Sequence, residues 1–108
     1  MRTLKFIVDG LIIKQDPNCD FSNIVHGTEG FLQAEFSFSN EWDGLVKVAE
    51  FYSALGKEYP ARLLYDGKSC IIPVEALQKC VFKVRILGQG KIKLCTNKVE
   101  VHQNGGKV

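Results

Sequence analysis

The sequence predicts an all-β protein, an immunoglobulin-like antiparallel β-sandwich of seven to eight short strands with one short helix. Short runs rich in β-branched and aromatic residues recur along the chain, whereas helical periodicity is almost absent. Turn residues, glycine above all, separate these runs roughly every 8–12 positions, as is typical of sandwiches and small barrels. Periodicity alone does not distinguish a sandwich from a small barrel, and we predict the aligned sandwich.

The first two strands are predicted as a hairpin. Residues 4–8 and 11–14 are apolar runs separated by Asp9-Gly10. An Asp-Gly pair favours a type I′ turn because both central residues of that turn need positive φ. Residues 16–20 end the hairpin, since they contain a proline that cannot donate to a ladder. The loop that follows has three apolar residues as anchors: Phe21, Ile24 and Val25.

The clearest predicted strand covers residues 31–38. Apolar and polar side chains alternate along it, which is typical of a sheet with one buried and one solvent-facing side. The residues expected to point inward are Leu32, Ala34, Phe36 and Phe38. Residues 40–44 are predicted to form the turn that follows this strand.

The rest of the chain continues the pattern of strands and turns. The further strands are predicted at residues 45–52, 59–65, 69–72, 81–87, 91–94 and 99–102, and the helix at residues 73–79. Pro60 indicates an edge position for the strand that contains it. In the strand at 81–87, Phe82, Val84 and Ile86 are expected to point inward.

The length of the chain favours one domain. With 108 residues, we assign residues 1–102 to a single β-sandwich and residues 103–108 to a flexible C-terminal tail. No apolar run approaches the roughly 18–20 residues of a transmembrane helix. The first ten residues lack the apolar centre and cleavage site of a signal peptide. These observations argue against a membrane protein, a secretory precursor and a two-domain enzyme.

The four cysteines are interpreted as free thiols. Their spacing does not match a zinc knuckle, and the two histidines are far apart in sequence. Without an export signal, a reducing compartment is expected, which disfavours disulfides. We expect Cys70 and Cys95 to pack as small apolar residues in the core. A disulfide and a metal site remain less favoured alternatives.

Enzymatic motifs are missing from the sequence. It contains no glycine-rich phosphate loop, no HExxH and no Gly-x-Ser-x-Gly element. Asp9, Asp43 and Asp66 each precede a glycine, and turn geometry already explains them. We therefore expect a non-enzymatic protein with no catalytic residues, no bound metal and no cofactor.

Trp42 is the only tryptophan and lies in the predicted turn at residues 40–44. Tryptophan is enriched at binding hot spots, which would make it a recognition anchor. Its large ring also suits a plug that closes one end of a sandwich. We favour the second role and assign Trp42 as a structural anchor.

Basic residues are concentrated near the C-terminus. Residues 1–78 carry 7 basic and 11 acidic side chains, whereas residues 79–108 carry 7 and 1. The candidate partner-binding residues are the basic side chains of the last predicted strands and turns, Lys83, Arg85, Lys91, Lys93 and Lys98. This patch is consistent with a solvated face, an acidic protein partner or, less well because no aromatic side chain shares the face, nucleic acid. The charge asymmetry also suits head-to-tail self-association.

One stretch resembles a known signature. Residues 36–51, FSFSNEWDGLVKVAEF, are similar to a motif of bacteriophage baseplate and tail proteins from Gram-positive hosts, approximately FxFSxEWDGLxKxAxF. Further pieces follow in the same order: Tyr59, residues 66–73, residues 75–77, residues 82–88 and Thr96-Asn97-Lys98. The resemblance is to the N-terminal domain of upper baseplate proteins and to related prophage tail-region proteins.

The resemblance implies an immunoglobulin-like sandwich that makes protein–protein contacts in a virion, without catalysis or a cofactor. The expected partners are phage structural proteins or further copies of the chain. An alternative is a small phage inhibitor of a host defence system, an anti-CRISPR protein or a sponge for a signalling nucleotide, that binds through the basic hairpin. The expected location is the virion or the host bacterial cytoplasm, with no membrane partner.

Overall fold

A computed structural model of the chain describes residues 1–24 and 32–103. Within these residues, nine strands form two sheets, which confirms the predicted all-β sandwich class but exceeds the seven to eight strands expected. Predictions for Val25, for Phe31 as the first residue of a strand and for residues 104–108 of the tail lie outside the described residues.

The two sheets have four and five strands. The strands are β1 Arg2–Asp9, β2 Ile12–Gln15, β3 Leu32–Phe38, β4 Val46–Ser53, β5 Arg62–Leu63, β6 Ser69–Ile71, β7 Val81–Gln89, β8 Lys93–Cys95 and β9 Val99–His102. The first sheet has the order β2-β1-β3-β6. The second has the order β5-β4-β7, and β8 and β9 pair in succession along the remaining side of β7.

One strand pair departs from the antiparallel prediction. β1 and β3 run parallel, with a register that extends from Arg2 opposite Leu32 to Val8 opposite Phe38. β2 turns back through Asp9-Gly10 and pairs antiparallel with β1 on its other side. The sequence pattern of a hairpin predicts the antiparallel pair β1–β2, but it does not reveal that β3 pairs with β1 in parallel.

Three local elements also differ from the prediction. The helix expected at residues 73–79 is a single 3-10 turn, Val74–Leu77, as a segment too short for a stable α-helix can adopt. A second 3-10 turn, Asn40–Trp42, lies within the predicted turn at residues 40–44. The strand expected at residues 59–65 is reduced to Arg62–Leu63, and it lies at a sheet edge.

The core lies between the two sheets and follows the period-two pattern of the sequence. The predicted inward residues Leu32, Ala34 and Phe36 are buried. The residues of β7 that were predicted to point inward, Phe82, Val84 and Ile86, are fully buried. Phe38 is half-buried and packs at the margin of the core. Because these side chains point inward, the residues between them must face solvent.

Trp42 closes one end of the core. Its side chain is fully buried, and its indole N–H donates a hydrogen bond to the backbone oxygen of Gly10 at 2.8 Å. Its ring centroid lies 5.3 Å from that of Phe38. At Gly88 a Cβ atom would come within 2.7 Å of the Trp42 ring, so β7 can pass the indole only because this residue has no side chain.

Asn97 joins the two sheets along one side of the sandwich, and its neighbour Thr96 secures the loop between β8 and β9 within the second sheet. The Thr96 hydroxyl accepts a hydrogen bond from the Ile86 N–H at 3.0 Å, in the gap between β8 and β9. The Asn97 side chain accepts from the Ile13 N–H at 2.8 Å and donates to the Ile13 backbone oxygen at 3.3 Å. The Asn97 amide thus pairs with both backbone groups of Ile13, which lies on the edge strand β2.

The cysteines only partly follow the prediction. All four are free thiols in the structure. Cys70 is half-buried and packs against the core, and this burial raises the pKa of its thiol to about 12. Cys95 was expected in the core, but it is exposed because it lies opposite Leu87 on the outward-facing parity of β8.

Gln103 belongs to the folded domain, although the sequence places it in the tail. Gln103 is 7% exposed, and its backbone N–H donates a hydrogen bond to the backbone oxygen of Cys80. Its side-chain amide donates to the backbone oxygens of Ala76 and Lys79, so it ties the end of β9 to the segment that precedes β7.

Candidate protein-interaction face

The candidate site is the outer face of the second sheet. On β7, Lys83 and Arg85 point outward because Phe82, Val84 and Ile86 point into the core. Strand pairing adds further side chains to the same face, and we call this set the Tyr52 cluster. Its members are Glu50, Tyr52, Lys83, Arg85, Lys98 and Glu100.

Glu50 lies at the centre of the cluster's hydrogen bonds. Arg85 Nε donates to Glu50 Oε1 at 2.7 Å, and the two residues are direct partners across β4 and β7. The Tyr52 hydroxyl donates to the same oxygen at 2.5 Å. One carboxylate oxygen therefore holds both a guanidinium and a phenol, which is a charge-assisted and directional arrangement.

Two cations cover the Tyr52 ring. Lys98 Nζ lies 3.8 Å from the ring centroid, and Arg85 Cζ lies 5.4 Å from it. Both are within the range of a cation–π interaction. Tyr52 is consequently only 4% exposed although it points away from the core.

The charges of the cluster reinforce one another. Partial burial acts to raise the pKa of Glu50, but the hydrogen bonds donated by Tyr52 and Arg85 outweigh burial and leave that pKa lowered. Burial and the hydrogen bond to Glu50 raise the pKa of Tyr52 to about 12. The hydrogen bond to Glu50 also raises the pKa of Arg85. At neutral pH the cluster therefore presents an ionised Glu50, a neutral Tyr52 and a charged Arg85.

The raised pKa of Tyr52 gives a testable pH dependence. In the unfolded chain the phenol ionises near its ordinary pKa of 10, whereas in the folded protein it keeps its proton until about pH 12. Its contribution to stability is therefore complete below pH 10 and is lost as the pH rises through 12. We expect an ultraviolet titration of the folded protein to show one tyrosine step near pH 12.

Substitutions assign this step to the cluster. Tyr52→Phe should remove it, and Glu50→Gln should move it to lower pH because the carboxylate no longer repels the phenolate. Tyr65→Phe is the matched control, since Tyr65 is 91% exposed and lies outside the cluster. A step that persists unchanged in Tyr52→Phe would contradict the assignment.

The structure brings together three of the five predicted basic residues. Lys83, Arg85 and Lys98 lie in the Tyr52 cluster, and Lys83 Nζ forms an ion pair with Glu100 Oε2 at 3.8 Å. Lys93 lies opposite Gln89 near the end of β7, about 13 Å along the strand from Arg85. Lys91 lies in the turn that precedes β8. The centre of the face thus carries charges of both signs, and its end carries the exposed lysines Lys91 and Lys93.

Sequence reasoning missed Glu50 and Tyr52. The two residues share the outward parity of the predicted strand at residues 45–52, which is a signal that the sequence contains. Their association with Arg85 is not visible there, because Glu50 and Arg85 are separated by 35 residues and meet only through the register of β4 and β7.

Apolar side chains continue the face beyond the Tyr52 cluster. Val48 lies between Leu63 on β5 and Leu87 on β7, as their backbone partners show. Leu63 is 39% exposed, and Val48 and Leu87 are half-buried. Tyrosine and arginine are enriched at protein interfaces, and on this face they adjoin the aliphatic residues of the patch.

The face carries an excess of positive charge. Residues 81–103 contain five basic side chains and one acidic one. Among the described residues, the ion pairs of this sheet engage Arg85 and Lys83, whereas Lys93 and Lys98 pair with no carboxylate. The surplus therefore favours partners with a negative surface.

No family model, curated protein or solved structure matches the chain. In residues 1–24 and 32–103, no group of three or more His, Cys, Asp or Glu side chains is placed to hold a metal ion. Over the same part of the chain, no helix has the length and apolarity needed to cross a membrane.

Proposed function

We propose that this chain is a non-enzymatic phage or prophage protein that acts by protein–protein contacts, as a small tail or baseplate structural module. It docks on an acidic partner surface through the outer face of its second sheet. The observation that carries the proposal is the Tyr52 cluster, in which a tyrosine and an arginine are fixed by one carboxylate on a solvent-facing sheet.

This arrangement suits a docking surface because its side chains are already ordered. Immobilising a flexible side chain at an interface costs about 0.5–1.5 kcal/mol, and the hydrogen bond to Glu50 and the contact with the Tyr52 ring have already restricted Arg85. Lys98 and Lys93 supply positive charge and form no ion pair with a described carboxylate. Such charges steer an acidic partner and make its association sensitive to salt.

The phage assignment is supported by the resemblance in residues 36–51. These residues form the end of β3, the first 3-10 turn and most of β4. They include the Trp42 plug and Glu50, so the resembling segment covers both the scaffold at one end of the sandwich and part of the face. The proposed location is accordingly the virion, with the host bacterial cytoplasm as the alternative location.

The test uses the phage or prophage that encodes the chain. We expect mass spectrometry of purified particles to detect the protein together with tail or baseplate components. Lys98→Glu should weaken its association with these components by about tenfold at low salt, which corresponds to about 1.4 kcal/mol. Lys68→Glu is the matched control, since it makes the same charge change on a residue between β5 and β6, outside the face.

Two results would contradict the proposal. One is the absence of the protein from particles. The other is equal association of the Lys98→Glu and Lys68→Glu variants, since the face would then contribute no charge to docking.

The same face also supports a second candidate, an inhibitor that docks on an acidic surface of a host defence protein. The exposed Lys91 and Lys93 at the end of the face favour it. A nucleotide ligand is less well supported, because the ring of Tyr52 is covered and cannot stack on a base. Detection of the chain in complex with a host protein, but not in particles, would favour this candidate.

A further inference from the structure

A cleft with a volume of about 760 Å³ lies beside the Tyr52 cluster. One wall is the loop that follows β4, which contributes Leu55, Lys57 and Tyr59. The other wall is the segment that leads into β7, which contributes Lys79, Cys80 and Val81. A volume of this order falls within the roughly 300–1,000 Å³ of ligand pockets.

Leu55 marks this cleft as a surface built for contact. The side chain is 99% exposed, although burial of a leucine side chain is ordinarily favourable. It is held at the tip of a tight loop, where Gly56 has a φ of +95° and its N–H donates to the Ser53 backbone oxygen at 3.0 Å. The loop thus presents an apolar side chain to solvent from a defined backbone.

The charges at the cleft favour an acidic occupant. Lys57 and Lys79 line it together with a single carboxylate, Glu75. If an apolar side chain of the partner is buried between the two lysines, carboxylates beside that side chain can pair with the lysines at the edge of the cleft. The chemistry therefore selects a segment that combines one large apolar residue with acidic neighbours.

The cleft is also continuous with the candidate face. Val81 lies two residues before Lys83 on the same side of β7, at a spacing of about 7 Å. An extended segment that leaves the cleft can therefore pass directly over Lys83 and Arg85.

We propose that this cleft holds the apolar anchor residue of an extended acidic peptide segment of the partner, whose carboxylates continue over Lys83 and Lys98. The inference rests on the proposed docking function, since it names the kind of segment that the face receives. It adds a specific anchor position, which the charge of the face alone does not provide.

The test selects short random peptides for binding to the whole protein. We expect the enriched sequences to share one large apolar residue beside aspartate or glutamate. Leu55→Ser should weaken binding of such a peptide by about tenfold, because most of the leucine burial is lost. Tyr65→Ser is the matched control, since it removes another exposed large side chain outside the cleft.

The variant Lys57→Glu/Lys79→Glu tests the acidic requirement separately and should also weaken binding. Enrichment of peptides without acidic or apolar residues, or equal binding by the Leu55→Ser variant, would overturn the inference. If light scattering showed a dimer that Leu55→Ser dissociates, the occupant of the cleft would be a second copy of this chain. This result too would overturn the inference. Retained association with phage particles in Leu55→Ser would reject the cleft while leaving the docking function intact.

Discussion

Replacement of Trp42 by alanine is expected to destabilise the protein by about 3–5 kcal/mol, the usual range for a fully buried large aromatic residue. The loss has two parts. A cavity forms between β3 and β7, where the indole packs against Phe38 and passes Gly88. The backbone oxygen of Gly10 also loses the indole N–H that it accepts. Denaturant unfolding followed by circular dichroism measures the total.

Trp42→Phe separates the two contributions. It keeps most of the ring packing but removes the indole N–H, so a cost of about 1–3 kcal/mol is expected from the unpaired Gly10 oxygen and the smaller ring. Tyr65→Ala is the control, because Tyr65 is 91% exposed and its removal should change stability by no more than about 0.5 kcal/mol. A Trp42→Ala variant as stable as this control would show that the indole does not close the core.

The parts of the fold that depend on neighbouring residues could be predicted from the sequence. Alternation along β3 and β7 correctly identified Phe36, Val84 and Ile86 as inward residues, because side-chain parity is a local property of an extended chain. The Asp9-Gly10 turn was equally local, and Gly10 has the positive φ, 61°, that such a turn requires.

The parts that depend on distant residues could not be predicted. The parallel pairing of β1 with β3 is set by where the connecting chain returns, and no residue pattern within either strand specifies it. The candidate site also depends on residues that are distant in sequence. The outward parity of Arg85 follows from its neighbours, but its ion pair with Glu50 exists only because β4 and β7 pair in one register. A charge count along the chain therefore found a basic patch and missed its central carboxylate.

This difference changes what the face can recognise. A purely basic surface attracts any polyanion, and its binding is governed mainly by salt. The Tyr52 cluster instead fixes its arginine against a carboxylate and covers its tyrosine with Lys98. Specificity must then come from shape and from the adjoining apolar residues Val48 and Leu87. For this reason we propose a protein surface, not a phosphate backbone, as the partner of this face.

Replacement of Asn97 by alanine is the second change with a large expected effect. Its side-chain amide is paired with both backbone groups of Ile13, which lies on the edge strand β2. Without the amide, a donor and an acceptor lose their partners, and leaving one buried group unpaired costs about 1–3 kcal/mol. Because solvent can reach part of this edge, we expect a total of about 2 kcal/mol, together with faster hydrogen exchange of the Ile13 amide.

Asn97→Asp is the sharper comparison at this position. The carboxylate still accepts from the Ile13 N–H, but it places a negative oxygen where the amide donated to the Ile13 backbone oxygen. It should therefore protect the Ile13 amide from exchange and yet destabilise the protein at least as much as Asn97→Ala at neutral pH. Lowering the pH should restore part of this loss, because a protonated carboxyl group can donate again. An Asn97→Asp variant as stable as the parent protein would show that the bond to the Ile13 oxygen contributes nothing to joining the sheets.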